Sequence, residues 1–340
     1  MTLKSEVIHN MKDLQKTIHY TTKAQEICAN LIKYIPTTAN LIEPFVGDGD
    51  LLPLFPNHTW ETYDIEEKQN SILQDTLLNP PSYTNKWVIT NPPYLAKNKA
   101  KDKQIFIKYN TDDLYKASLL SILDCEGGIL IIPTNFLTDE RTGPIRSKFL
   151  NQFEILEMNI FTQPVFITTT YSVCSFAFRK KENSKSPQTF PININPANET
   201  VNITIYPEYD YRIAGEFYNA LASTTNIFGR LVGTTSNDYI TNIKLYALDT
   251  RTERIRVEFE TEHYCGKNTD RTYATLTCKK PLSKEQEEYL IKEFNNQLEA
   301  FRKQYYDLSM TNYRDYNRKR IGFTFAYQLL SKIYNETYNS

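Results

Sequence analysis

Cysteine is scarce in this sequence and unpaired in spacing. The five residues, Cys28, Cys125, Cys174, Cys265 and Cys278, are scattered without a single Cys-x-x-Cys. That excludes a disulfide framework and a cysteine-built zinc site, and reads as reduced thiols in a cytoplasmic protein. Nor is there a His/Cys constellation to hold a catalytic metal. Long apolar runs are also missing: the stretch around Ile129 to Pro133 falls far short of the ~20 residues that a spanning helix needs. The opening "MTLKSEVIHN" has no apolar signal segment. The expectation is a soluble chain in the cytoplasm (of a host, if virus-encoded) with no membrane partner. Neither sign of charge dominates. A net charge of −1 argues against a polyanion-coating protein without excluding local basic patches.

What is present suits a folded protein: 340 residues, 40% apolar and 23% charged, enough for one large domain or two ordinary ones. The 24 tyrosines suit polar recognition surfaces, although AT-rich codon usage explains them equally well. "KAQEICANLIKY" (23–34) spaces Ile27, Leu31 and Ile32 as a helix, with Thr21-Thr22 as caps. Short strands follow at Leu41-Ile42, "WETYDIEEK" and "KWVITNPPY". A helix is expected over 113–124, a buried strand in "GGILIIPTNFL", then a helix and strand in "RSKFLNQFEILEMNIF" and a last strand in "TYSVCSFAFRK". Strands alternating with helices predict a mainly parallel sheet. The pattern breaks at Lys180. We expect an α/β domain over 1–180, a linker or long loop over 181–200, and a smaller mixed α+β domain over 201–340. Within the last, Ser283 should cap a charged helix running to 306.

Three stretches carry chemistry. "EPFVGDGDL" (43–51) follows a strand with two glycines one residue apart, which suits a tight turn approaching a ligand at the sheet's carboxyl edge. It lacks the third glycine of a dinucleotide fingerprint and the Lys-Ser/Thr of a phosphate loop. Its acids would repel a pyrophosphate and suit a ligand bearing positive charge. "YDIEEK" (63–68) ends the next strand in acids where such sheets hydrogen-bond a ribose, with Asp64 the first candidate and Glu66 the second. "ILQDTLL" adds Asp75, an acceptor for an amino group. Finally, in "TNPPY" the prolines lack N–H groups and hold their predecessors extended, so nearby carbonyls are rigidly aimed. Asn91 adds an amide carbonyl and Tyr94 an exposed flat face. Together they make a receptor for a planar –NH₂ group.

The order "FVGDG" (45–49), strand-end acid, "QD" and Asn-Pro-Pro-Tyr resembles the S-adenosylmethionine-dependent DNA amino-methyltransferases, above all the adenine-N6 enzymes of restriction–modification systems with the gamma order of motifs. The likeness covers about the first 180 residues. It extends to "HYTT" (19–22), "GGILIIPTNFL" (127–137) and "PVFITTTYSVCSFAF" (164–178). It implies a seven-stranded, mostly parallel Rossmann-like methyltransferase sheet with a C-terminal target-recognition domain. It also implies S-adenosylmethionine held by Tyr20, Thr21, Thr22, Glu43, Pro44, Phe45, Gly47, Gly49, Asp64, Ile65, Asp75 and Asn91. Glu43 would sit near the ammonium group, Asp64 would bind the ribose and Asp75 the adenine. The catalytic set would be Asn91, Pro92, Pro93, Tyr94 and Phe166. Asn91 and the Pro92 carbonyl would accept from the target amino group, while Tyr94 and Phe166 sandwich a flipped base. No metal or covalent nucleophile is implied, and the Pro-Cys of a cytosine-C5 enzyme is absent.

Double-stranded DNA is the implied partner, and the family leaves room for a cognate restriction endonuclease acting on the same site. Lys97, Lys99 and Lys101 are candidate backbone contacts. Asn312, Arg314, Arg318, Lys319 and Arg320 in "TNYRDYNRKRIGF" are candidates for reading bases and positioning phosphates. The alternatives left open are cytosine N4 in DNA, guanine N2 in RNA, glutamine in a protein, and a non-catalytic nucleic-acid-binding module.

Overall fold

In the computed structural model, which describes residues 23–68, 70–166, 172–182, 185–233, 238–312 and 317–338, the short apolar stretches line up as a sheet. The first unit, up to Tyr211, contains β1 (Asn40–Glu43), β2 (Thr59–Asp64), β3 (Ile72–Leu73), β4 (Trp87–Thr90), β5 (Gly127–Pro133), β6 (Phe153–Phe161), β7 (Val173–Lys180), β8 (Gln188–Asn195) and β9 (Glu199–Ile205). They form one nine-stranded sheet in the order β3-β2-β1-β4-β5-β7-β6-β8-β9. The first five are mutually parallel. β7 is inserted antiparallel between β5 and β6, β8 runs parallel to β6, and β9 closes the edge antiparallel. The fold is thus mixed α/β around a large mixed sheet.

The helices of this unit are short: α1 (Ala24–Cys28, continued as a 3₁₀ turn to Tyr34), α2 (Gln104–Tyr109), α3 (Leu114–Ser121) and α4 (Gly143–Leu150). Asp113 caps α3, accepting from the Tyr115 N–H. β5 is buried along its whole length, as a central parallel strand should be. Beside it Phe136, Phe149, Phe153, Phe176 and Phe178 pack ring against ring at 4.8–6.4 Å. All five are fully buried, each a contribution of roughly 1.5–3 kcal/mol. The buried Arg146 donates to the carbonyls of Phe136, Asp139 and Asp210, tying α4 to the end of this unit.

Residues 188–205 correct the expected linker. Gln188, Phe190, Ile192 and Ile194 face inward in strict alternation, and the strands they belong to extend the sheet. Pro191 misleads a sequence reading because it looks like a breaker. It precedes the stretch, Ile192 to Asn195, that pairs with β6, so its missing N–H costs no bond on that side. The chain accordingly divides at Tyr211/Arg212, later than expected.

The second unit starts with α5 (Gly215–Ala222) and builds an antiparallel sheet of β10 (Phe228–Arg230), β11 (Tyr239–Tyr246), β12 (Arg256–Phe259) and β13 (Tyr273–Cys278), in the order β10-β13-β11-β12. The long α6 (Lys284–Gln304) opens with the expected Ser283 cap as a full capping box with Gln286. A short pair, β14 (Thr311–Asn312) and β15 (Lys319–Arg320), precedes α7 (Phe323–Tyr338). Arg302 of α6 grips Asp249 through two parallel bonds of 2.9 Å, a buried bidentate pair. Among the described residues no helix is long and apolar enough to cross a membrane.

Candidate active site

Because β3, β2, β1 and β4 are parallel neighbours, their carboxyl ends share one edge of the sheet, and every chemistry-bearing stretch of the first unit leaves the sheet there. The turn after β1 carries Gly47 (φ 56°) and Gly49 (φ 79°), left-handed conformations that a side chain would strain. Two buried carboxylates hold this turn. Asp64, at the end of β2, accepts from the Gly47 N–H at 2.9 Å through Oδ2 and from the Glu66 N–H at 2.9 Å through Oδ1. Glu43 accepts from the Phe45 N–H at 3.0 Å and from the Thr90 hydroxyl. Thr90 precedes Asn91, so Glu43 ties the glycine turn to the root of the Asn-Pro-Pro-Tyr segment.

After β3, Asp75 Oδ1 accepts from the Leu77 and Leu78 N–H groups at 3.0 and 2.9 Å, which folds that loop back over the strand ends. Helix α2 closes the side: Lys108 donates to the Leu77 and Leu78 carbonyls, and Tyr109 to that of Leu77. Leu77, Leu95, Phe106, Leu114 and Ala117 form the apolar cluster beneath, with Phe45 and Ile105 against it.

The result is a cleft lined by Phe45, Asp64, Ile65, Asp75, Leu77, Asn91, Pro93, Ile105 and Leu114. Its cavity volume is about 50 Å³. The lining is mostly apolar with a few convergent acceptors, the usual character of a small-molecule site. A larger groove of about 660 Å³ lies along Glu154, Arg179 to Glu182 and Ser186 to Thr189, and contains none of the motif residues.

The structure therefore brings together Phe45, Asp64, Ile65, Asp75, Asn91 and Pro93. Gly47 and Gly49 shape the turn, and Pro44 and Pro92 are buried behind it. Three expectations need correction. Glu43 does not line the cleft; it lies 2% exposed under the turn, and burial, with Asp64 nearby, pushes its carboxyl up to about 8 against the pull of its two hydrogen bonds. Tyr94 is not an exposed face: its ring is buried, edge-on to Tyr115, with its hydroxyl against Asn91 and the Ile131 carbonyl. Phe166 is likewise buried. Tyr20, Thr21 and Thr22 lie outside the described residues.

Lys97, Lys99 and Lys101 are exposed, on a segment anchored by the Lys97 N–H to the Asp112 carbonyl and by the Ala96–Asp113 bridge. In the second unit Asn312, Arg318 and Arg320 are half-buried, and Arg314 lies outside the described residues. Lys319 departs from its expected surface role. It is buried, its ammonium donating to Asn312 and Asn317, and burial lowers it to about 8. It stands opposite Asn312 in the β14–β15 pair, a placement that no local charge pattern reveals. The signals missed in the sequence were the hydroxyls of Thr90 and Tyr94, whose partners lie 47 and 37 residues away.

No protein-family model matches the sequence, and no curated protein matches it. Among solved structures, one similar chain is described as the modification subunit of a type I restriction enzyme from Vibrio vulnificus, with 12% identity over 58% of this chain and 52% of that one, at a TM-score of 0.43. Another is a type I restriction–modification methyltransferase subunit from Streptococcus thermophilus, with 14% identity over 58% and 59% and a TM-score of 0.41. The M protein of the type I enzyme EcoKI gives 13% over 52% and 48%, at 0.40. The match spans about half the length of these proteins. Likeness of this degree fixes neither family nor activity.

Proposed function

We propose that this chain is an S-adenosylmethionine-dependent methyltransferase acting on a planar amino group. One observation carries the reading: a ribose-type acid, an adenine-type acid, apolar walls and an amide acceptor, expected from four separate stretches, line one cleft at the carboxyl ends of four parallel strands. The run β3-β2-β1-β4-β5-β7-β6, with only β7 reversed, also suits the seven-stranded sheet of such enzymes.

The residues present fit an adenosyl ligand. Phe45 and Ile65 offer half-buried apolar faces for a purine. Asp75 spends one carboxylate oxygen on its own loop and has the other for an amino group. Asp64 lies beside the glycine turn, with lone pairs beyond its two backbone bonds for a ribose hydroxyl. When bound, S-adenosylmethionine supplies an electrophilic methyl group. The chain's own part is orientation: Asn91 accepts a hydrogen bond from the substrate amino group and turns its nitrogen lone pair outward, and Pro93 with Leu114 and Ile105 keeps the approach dry. Positioning of this kind carries most of a direct transfer.

The particular substrate we propose is the N6-amino group of adenine in double-stranded DNA. A cleft between strand ends admits a base only after it leaves the stack. The second unit, with Asn312, Arg318 and Arg320 gathered near one hairpin, serves as the recognition domain in this reading, and Lys97, Lys99 and Lys101 as backbone contacts. The base-facing role of Phe166 requires its ring to be uncovered. A cognate endonuclease sharing the site would be the natural partner. The test is incubation with methyl-labelled cofactor and, in parallel, unmethylated duplex DNA, RNA and protein. Label in DNA supports the reading. Label confined to RNA or protein moves the same cleft to another amino group, and no transfer to any of them overturns it.

A further inference from the structure

The larger groove lies at the end of the sheet opposite the cleft. β4 and β5 run parallel, and the cleft forms where β4 ends. The groove of about 660 Å³ forms where β5 begins: Gly127 of β5 pairs with Arg179, and Lys180 pairs with Phe153 at the start of β6. The seven residues of β5 separate the two ends by roughly 20 Å. The groove therefore serves neither a ligand nor a base held in the cleft. Gln188, one of its lining residues, is locked in place: its amide donates to the Leu150 and Phe153 carbonyls while its oxygen accepts from the Ile155 N–H.

Residues two apart in an extended chain project to one side, which brings Arg179 and Lys181 to the groove together. Arg179 spends its Nε on Glu154 at 2.6 Å, and among the described residues its two terminal nitrogens are open to a ligand. That pair is solvent-exposed and so contributes little by itself. Lys181 has no carboxylate within ion-pairing reach among the described residues. Its ammonium meets the Tyr211 hydroxyl at 3.4 Å and lies 5.3 Å from the centre of that ring. Burial lowers its pKa, against a smaller opposing effect of Glu154, as expected of a cation short of counter-charge. We propose that this groove is a second ligand site, which takes the phosphate groups of a nucleotide-sized molecule on Arg179 and Lys181. An arginine fork beside an ammonium matches tetrahedral phosphoryl oxygens. The groove's volume suits a small molecule, whose sites run to roughly 300–1,000 Å³. A bound anion supplies the charge that Lys181 lacks.

The test is isothermal calorimetry on the full chain in chloride buffer, with GTP, pyrophosphate and an unmethylated DNA duplex as probes. GTP and pyrophosphate lack the adenine that the cleft would hold. GTP should bind saturably, and pyrophosphate should compete with it. Lys181→Met keeps the stem beside Tyr211 and should weaken GTP by about tenfold or more, the weight of one charge-assisted hydrogen bond. Glu154→Gln should act in the opposite direction, tightening GTP by roughly threefold as it frees Arg179. Should Lys181→Met lower the thermal midpoint, Glu154→Gln decides, since damage to the fold does not improve binding: an affinity that is unchanged or weaker overturns the proposal. So does the absence of saturable heat with GTP and pyrophosphate at millimolar concentration, or a GTP affinity that Lys181→Met leaves within twofold of wild type. Binding of the duplex alone, lost in Lys181→Met, overturns it in favour of a nucleic-acid surface. Methyl transfer enters none of these readouts, so the groove is tested apart from the proposed function.

Discussion

Glu43 offers a quantitative test of the site's construction. Its carboxyl is buried beneath the glycine turn, and desolvation, with a contribution from Asp64, raises it from an ordinary 4.5 to about 8 despite the bonds from Thr90 and Phe45. Between those values the unfolded chain holds Glu43 ionised while the folded chain holds it protonated. The folded state therefore binds more protons, and its stability falls as pH rises. This contribution is full below about pH 4.5 and is lost as pH rises through about 8. Each pH unit across the window costs about 1.4 kcal/mol, so on the order of 3 kcal/mol of folding free energy is gone by pH 7. Glu43→Gln keeps an oxygen for the Phe45 N–H and the Thr90 hydroxyl but cannot ionise. Relative to wild type without ligand, it should gain about 3 kcal/mol between pH 5 and 7.5. Both tryptophans, Trp60 and Trp87, lie in the first unit on β2 and β4, so urea unfolding followed by their fluorescence isolates the relevant half of the chain. A wild-type-minus-variant difference that stays flat from pH 5 to 7.5, or slopes the other way, refutes the argument.

Two further outcomes follow from the same geometry. Asp64→Ala removes the acceptor for two backbone N–H groups at once, and should destabilise the first unit by about 2–4 kcal/mol as well as weaken cofactor binding, both read by denaturation with and without ligand. For DNA binding, Arg318→Ala and Arg320→Ala should each lower the slope of log affinity against log salt by ~0.9 if each meets a phosphate. Lys319→Met should leave that slope unchanged, because its ammonium is spent on Asn312 and Asn317 inside the unit. A slope that drops with Lys319 would return that residue to the surface role.

The central part of the site was legible because its logic is local. Glycines with positive φ, strand-terminal acids and a proline-stiffened asparagine each mark the end of a parallel strand, and parallel neighbours bring those ends together without further information. What stayed hidden depended on distant partners. Tyr94 looks like a stacking face until Ile131 and Tyr115 enclose it. Glu43 looks like a ligand contact until Thr90 claims it. Lys319 sits among arginines in sequence but opposite Asn312 in the hairpin. At fold level, β8 and β9 were obscured by Pro191 and by polar outward positions, a pattern that reads as a linker until the neighbouring strand β6 supplies a register.

The account turns on Asn91 as the receptor of an adenine amino group. Wild-type and Asn91→Ala protein should be incubated with S-adenosylmethionine and unmethylated duplex DNA, and the DNA digested to nucleosides for mass spectrometry. The account predicts N6-methyladenine from the wild type and a loss of at least 100-fold in the variant, the roughly 3 kcal/mol typical of removing one donor or acceptor aimed at a reacting group, with cofactor binding retained. Full activity in Asn91→Ala, or methylation at a ring position rather than an amino group, would contradict it.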